Sequence, residues 1–214
     1  MEKKLLIILS LIGITFISIS QENSKQHIKT TGGLKLEVNL SNFYVSGLSG
    51  AKSEMRPGAT FGGFMRWDVS KLFALQGELL YHYKSSNFIW DNVKREFQYI
   101  GMEIPIYAIF KWNLCDGQHL YVGIGPYAEF GFSAKIKKEG KKIDLYEKDE
   151  ATELSTMTDF NSGFGIILGY EFDCNVQVNV GYKISITNIL DANSTSITLL
   201  PGAISLGIGY RFGK

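Results

Sequence analysis

Glu78, Glu103, Glu129 and Glu171, together with Arg66, Lys111, Lys183 and Arg211, occupy the polar phase of segments whose alternate residues are aliphatic or aromatic. Carboxylates and cations enclosed together neutralise one another as ion pairs, and a carboxylate left without a cation holds a proton instead. Counting back through the turn at 113–118 sets Glu103 opposite, or nearly opposite, Glu129. Two carboxylates so close require a cation between them or the protonation of one, and Arg66 or Lys183 is the expected source of that charge. The expected outcome is an ion-paired plug rather than a proton-handling site.

Other reactive residues offer less. His82 with Ser85 and Ser86 nearby in sequence has the residue types of a lipid hydrolase, yet neither serine stands in a nucleophile motif and His82 shares the phase of the charged residues. His27 and His119 have no partner in sequence. Cys115 and Cys174 lie in CDG and DCN, two turn signals; they are a disulfide or two free thiols, and no second Cys or His stands at metal-ligand spacing. GFGIILG and GIGPYAEFG lack the spacing and following helix of a phosphate cradle. No catalytic residue, cofactor or metal is expected.

The elements that must position the charges are strands. In FALQGELLYHYK, Phe73, Leu75, Gly77, Leu79, Tyr81 and Tyr83 alternate with Ala74, Gln76, Glu78, His82 and Lys84, and successive side chains on a strand point to opposite faces. At about 3.3 Å per residue and a tilt near 40°, such a segment crosses roughly 30 Å, the hydrocarbon thickness of a bilayer. The same alternation recurs over 34–40, 59–69, 97–112, 120–133, 160–173, 176–186 and 204–212. Between these strands, 45–58, 85–96, 134–159 and 187–198 read as long polar loops, alternating with short turns. Short turns on the periplasmic side, long loops outside and an even strand count are the pattern of a transmembrane barrel with both termini periplasmic.

Aromatic residues collect at the strand ends. Trp67, Phe73, Phe110, Trp112, Phe172, Tyr210 and Phe212 fall toward the short turns; Phe61, Tyr81, Tyr83, Phe130, Phe132, Phe164 and Tyr182 fall toward the long loops. Two such girdles suit the two interfaces of a membrane. The opposite face carries the charges and many glycines, among them Gly101, Gly123, Gly125, Gly163, Gly165, Gly169, Gly181, Gly207 and Gly209. Glycine weakens an exposed strand, whereas in a small barrel it leaves room for large neighbours, so the charged, Gly-rich face is expected inside.

Composition and targeting agree. Leu5–Ile19 is apolar after Lys3 and Lys4, and Ser18 and Ser20 precede a cut ahead of Gln21, which is the pattern of an export signal. Removing residues 1–20 takes Glu2, Lys3 and Lys4 from a chain with 21 acidic and 22 basic residues, leaving it neutral, so nucleic acid is excluded as a partner. The expected fold is an all-β, eight-stranded, antiparallel up-and-down transmembrane barrel over residues 32–214, after a cleaved signal peptide (1–20) and a polar tail (21–31).

The chain resembles the outer-membrane β-barrel domain family typified by the PorT-like proteins of Bacteroidetes. The resemblance rests on GGLKLEVNLSNF, RPGATFGGFMRWDVSKLFALQGELLYHYK, YIGMEIPIYAIFKW, YVGIGPYAEF, FGIILGYEF and LGIGYRF, which span nearly all of the mature chain. It implies an outer-membrane location. Phe212 resembles the terminal aromatic that barrel-assembly machinery reads, although Gly213 and Lys214 follow it. The function expected is a non-enzymatic, monomeric barrel in outer-membrane lipid, plugged by charge, with a structural or surface-interaction role toward extracellular protein partners. The alternatives are an accessory of a protein secretion machinery, which the resemblance allows, a narrow porin, and a soluble lipid-binding barrel.

Overall fold

The computed structural model describes residues 28–91, 93–115, 117–138, 141–147, 157–190 and 197–212. The expected signal peptide and most of the expected tail lie outside the described residues. The strands are β1 (Lys29–Ser46), β2 (Lys52–Asp68), β3 (Phe73–Trp90), β4 (Val93–Cys115), β5 (Gln118–Lys138), β6 (Lys141–Asp144), β7 (Phe160–Glu171), β8 (Val176–Ser185) and β9 (Thr198–Phe212). Each is antiparallel to its neighbours; β4 pairs with β5 and β9 with β1, while among the described residues β6 pairs with β5 alone. The other eight strands therefore close into a ring, which removes every open edge that lipid could not hydrogen-bond.

Closure makes the alternation physical. Along β1, Leu34, Leu36 and Val38 are 60%, 57% and 59% exposed, whereas Lys35, Glu37 and Asn39 between them are 6%, 3% and 2% exposed. On β1, β3, β4, β7 and β8 most aliphatic residues form the outer wall and the charged ones face the interior, with Leu80, Ile109 and Ile167 as buried aliphatic exceptions. That is the reverse of a soluble lipid-binding barrel, which keeps its apolar face inside.

The loops differ from expectation. Residues 29–31 belong to β1 rather than to a tail, Val45 and Ser46 extend β1, and 52–58 are strand in β2. The stretch 85–96 is almost wholly strand, with β3 running to Trp90 and β4 starting at Val93. Within 134–159, β5 runs on to Lys138 and β6 folds back on it. A polar composition marks departure from the bilayer, not departure from the sheet, because ladder hydrogen bonds are made by the backbone. Membrane crossing needs about 9–11 tilted residues; β1 to β5 have 18, 17, 18, 23 and 21, against 12, 10 and 15 in β7, β8 and β9. The first five strands thus project a wall beyond the belt on the side away from the short turns. At its base Pro57 and Gly58 form a bulge, where the β2–β3 register shifts between Arg56 and Ala59; proline has no N–H to donate to β3 there.

Candidate functional site in the barrel interior

The interior holds three tiers of polar contacts. Nearest the short turns, Arg66 is 1% exposed and its guanidinium donates to Gln76 Oε1 at 2.8 Å, Glu171 Oε2 at 2.7 Å and Gln177 Oε1 at 3.2 Å. Its carbon lies 5.2 Å from the centre of the Tyr121 ring, a cation–π contact. Arg211 pairs with the other oxygen of Glu171, and Lys111 pairs with Asp68. Tyr121 fits because Gly169 faces it: a Cβ there would stand 2.2 Å from the tyrosine ring.

In the middle tier, the Lys35 ammonium lies 2.9 Å from Glu37 and 3.1 Å from Glu78, and Gln76 Nε2 donates to Glu78 at 2.6 Å. In the third tier, Glu103 and Glu129 are direct partners across β4 and β5, as counting through the turn predicts. Lys183 pairs with Glu103. Lys84 lies between the carboxylates, 2.8 Å from Glu129 Oε1 and 3.4 Å from Glu103 Oε2, and Asn161 Nδ2 donates to Glu129 Oε2 at 3.1 Å.

Arg66 does not serve this carboxylate pair. Gly62 pairs with Leu80 and Leu80 with Glu103, so Arg66 sits four residues farther along β2, roughly 13 Å of strand. Lys183 comes from the row of Tyr107 and Gly165 and reaches Glu103 along its flexible stem. The residues that sequence reasoning left out are Lys35, Glu37, Asp68 and Lys84. Their signal was present, since each occupies the phase of the other interior charges. With them, Lys35, Arg66, Lys84, Lys111, Lys183 and Arg211 balance Glu37, Asp68, Glu78, Glu103, Glu129 and Glu171. Burying charge is costly unless it is paired and hydrogen-bonded, and removal of one partner typically costs about 3–5 kcal/mol.

Beyond the third tier an apolar layer covers the interior. Phe43 from β1, Phe97 and Tyr99 from β4, Ala134 from β5, and Met157 and Ile189 from the connections form one cluster. Phe43 and Phe97 meet edge to face at 4.8 Å, and Tyr99 stacks on His82 at 5.4 Å, joining the layer to the ions. Backbone bonds from Leu145 N to Ala134 O at 2.8 Å, Met157 N to Leu145 O at 3.1 Å and Thr158 N to Ile189 O at 2.8 Å hold the connections in place. Part of the expected 134–159 loop is therefore a folded cover. Outside it, the wall carries an exposed pair, Glu54 with Lys94 at 2.8 Å, and a partly exposed one, Arg56 with Glu96 at 2.9 Å. Hydrogen bonds from Lys94 and Asn87 hold the Glu54 carboxyl below its usual range, and Gln98 and Arg56 do the same for Glu96.

The aromatic residues named from sequence face outward at both ends of the belt. At the short-turn end Phe73 meets Phe110 at 5.4 Å, Tyr170 meets Phe172 at 4.8 Å and Tyr210 meets Phe212 at 5.5 Å, with Trp112 48% exposed and Trp67 half-buried. At the other end Tyr81 lies 5.4 Å from Phe61 and 6.3 Å from Phe132; Phe130, Phe164 and Tyr182 are exposed, and Tyr83 is half-buried.

The hydrolase arrangement is not assembled. His82 Nε2 stands 2.9 Å from Glu129 Oε1, the Ser85 hydroxyl donates to Pro57 O at 2.9 Å, and the Ser86 hydroxyl has no partner among the described residues. Cys115 and Cys174 are exposed free thiols at the short-turn end.

The fold is similar to that of solved outer-membrane proteins. The outer membrane protein OprG of Pseudomonas aeruginosa is 12% identical with a TM-score of 0.53, over 88% of this chain and 98% of that one. The attachment invasion locus protein Ail of Yersinia pestis, solved with the heparin analogue sucrose octasulfate, is 14% identical with a TM-score of 0.46, over 86% and 100%. Neisserial surface protein A is 14% identical with a TM-score of 0.47, over 86% and 99%. No curated protein matches the sequence. The match over residues 9–212 is to a family described as the outer membrane protein beta-barrel domain, and the chain belongs to that family.

Proposed function

We propose that this outer-membrane barrel is non-enzymatic, monomeric and closed to solutes, and that its role is structural or one of surface interaction, carried by the wall of β1–β5 and the covered end. The observation that carries this reading is the filled interior: twelve paired charged side chains named above, capped by the Phe43–Ile189 apolar layer. An eight-stranded barrel is just wide enough for its side chains to fill. In this reading residues 1–20 direct export and barrel-assembly machinery inserts the chain, whose quoted strand motifs resemble those of the PorT-like proteins.

Planar-bilayer recording of the purified protein tests closure: the expected result is no conductance above that of the protein-free membrane, and steady single-channel steps would favour the porin reading. Crosslinking in intact cells tests the role. An adduct with secretion subunits would move the assignment to the secretion accessory.

A further inference from the structure

His82 has a surplus that the plug does not use. It is 1% exposed, and neither ring nitrogen has a hydrogen-bond partner among the described residues. Its Nε2 approaches Glu129 Oε1 at 2.9 Å without the alignment of a hydrogen bond. A buried imidazole normally fixes its tautomer through a bond at one nitrogen and uses the other as a donor or ligand.

We propose that His82, Glu103 and Glu129 form a site for a divalent transition cation of the zinc type, which exchanges with the Lys84 ammonium. One ligand atom from each of the three residues lies within 4.8 Å of the others. Metal–ligand bonds of about 2.0–2.2 Å place neighbouring ligand atoms roughly 3 Å apart, so the His82–Glu129 separation already suits a shared ion. The imidazole reaches Glu129 across Gly101, where a Cβ would stand 3.0 Å from Nε2 and 2.6 Å from Phe130 O. A donor set of one imidazole and two carboxylates favours zinc-like ions over calcium or magnesium, which take oxygen ligands.

Lys84 supplies the second half of the argument. Its ammonium already holds a positive charge between the two carboxylates, at 2.8 and 3.4 Å. With Lys183 on Glu103 the cluster is neutral, so a divalent ion enters only as Lys84 leaves. The Lys84 side chain is 13% exposed and borders a cavity of ≈ 30 Å³ shared with Ser85, Ser86, Glu129 and Asn161. That space is enough for the displaced head group or for one or two water ligands.

The test is calorimetric titration of the full-length, detergent-folded protein with Zn²⁺, repeated with Co²⁺ to read its visible ligand-field absorption. Removing the competing ammonium by Lys84→Met should raise Zn²⁺ affinity at one ion per chain. Adding His82→Ala to Lys84→Met should weaken it more than about tenfold and abolish the imidazole-dependent Co²⁺ bands. Heat-modifiable migration on gels verifies folding of each variant, and Glu103→Gln in the Lys84→Met background replaces His82→Ala if that variant fails to fold. Absence of binding by the Lys84→Met protein overturns the proposal. So does affinity unchanged by His82→Ala or Glu103→Gln, which means an adventitious ion only.

Discussion

Val180 on β8 is 51% exposed and Met55 near the start of β2 is 44% exposed, yet the two side chains meet different surroundings. Val180 is flanked within its strand by buried Asn179 and by Gly181, and lies across from Leu168 and Leu206. Met55 lies between exposed Glu54 and half-buried Arg56, on the wall beyond the bulge. Fractional exposure does not name the solvent; the residues on the reverse face do. Where one face is aliphatic and the other charged, the outer surface belongs to lipid. Where both faces are polar, the strand stands in water.

The contrast makes paired predictions. The largest effect is expected for Arg66→Ala, which leaves Glu171 with Arg211 alone and should lower stability by about 3–5 kcal/mol. Arg56→Ala removes a pair of similar length from the wall and should cost only about 0.2–1 kcal/mol. Urea unfolding in lipid vesicles compares the two, and equal costs would erase the distinction. Next, Val180→Arg should cost roughly 2–4 kcal/mol in the same assay, whereas Met55→Arg should stay within about 0.5 kcal/mol.

Gly125→Ala should follow, at about 1–3 kcal/mol, because its Cβ would stand 1.8 Å from the backbone oxygen of Ile106. The smallest effect is the pH response of the wall. Glu54 and Glu96 have lowered pKa values in the folded chain, so their contribution is complete above the unfolded carboxylate range near 4.3 and is lost as pH falls through the lower folded values. Between pH 6 and 8 the urea midpoint of a Glu54→Gln, Glu96→Gln variant should lie below the parent's by an amount that does not change with pH. That offset should shrink only as pH falls below about 4.3.

The belt was legible in the sequence because a period of two with one lipid face leaves its mark on every residue, from Leu34 to Phe212. The opposition of Glu103 and Glu129 was legible too, because antiparallel register follows from the turn between them. The wall was not. Residues 52–58 and 85–96 mix polar residues with Met55, Phe88, Ile89, Trp90 and Val93 in no period of two, and a ladder built from backbone groups needs no alternation to form. Arg66 was paired with the wrong carboxylates because phase gives the face but not the height, which depends on registers across four strands. Lys84 shares the polar phase but was not counted among the interior charges, because it stands at the end of the alternating run, where Ser85, Ser86 and Asn87 are all buried and the period breaks. The apolar cover escaped because Met157 and the Ile189-Leu190 pair are short apolar islands among polar residues, and only the folded connections bring Met157 and Ile189 to Phe43 and Phe97.

The tryptophans provide the most direct test. Trp112 ends the belt on β4 and is 48% exposed, while Trp90 ends β3 on the wall and is 40% exposed. In single-tryptophan variants reconstituted with brominated-acyl phosphatidylcholine, Trp112 should be quenched by the lipid bromines and spared by aqueous iodide, and Trp90 should show the reverse. If bromine spares Trp112, or quenches Trp90 as strongly, the apolar surface does not face lipid in the way proposed.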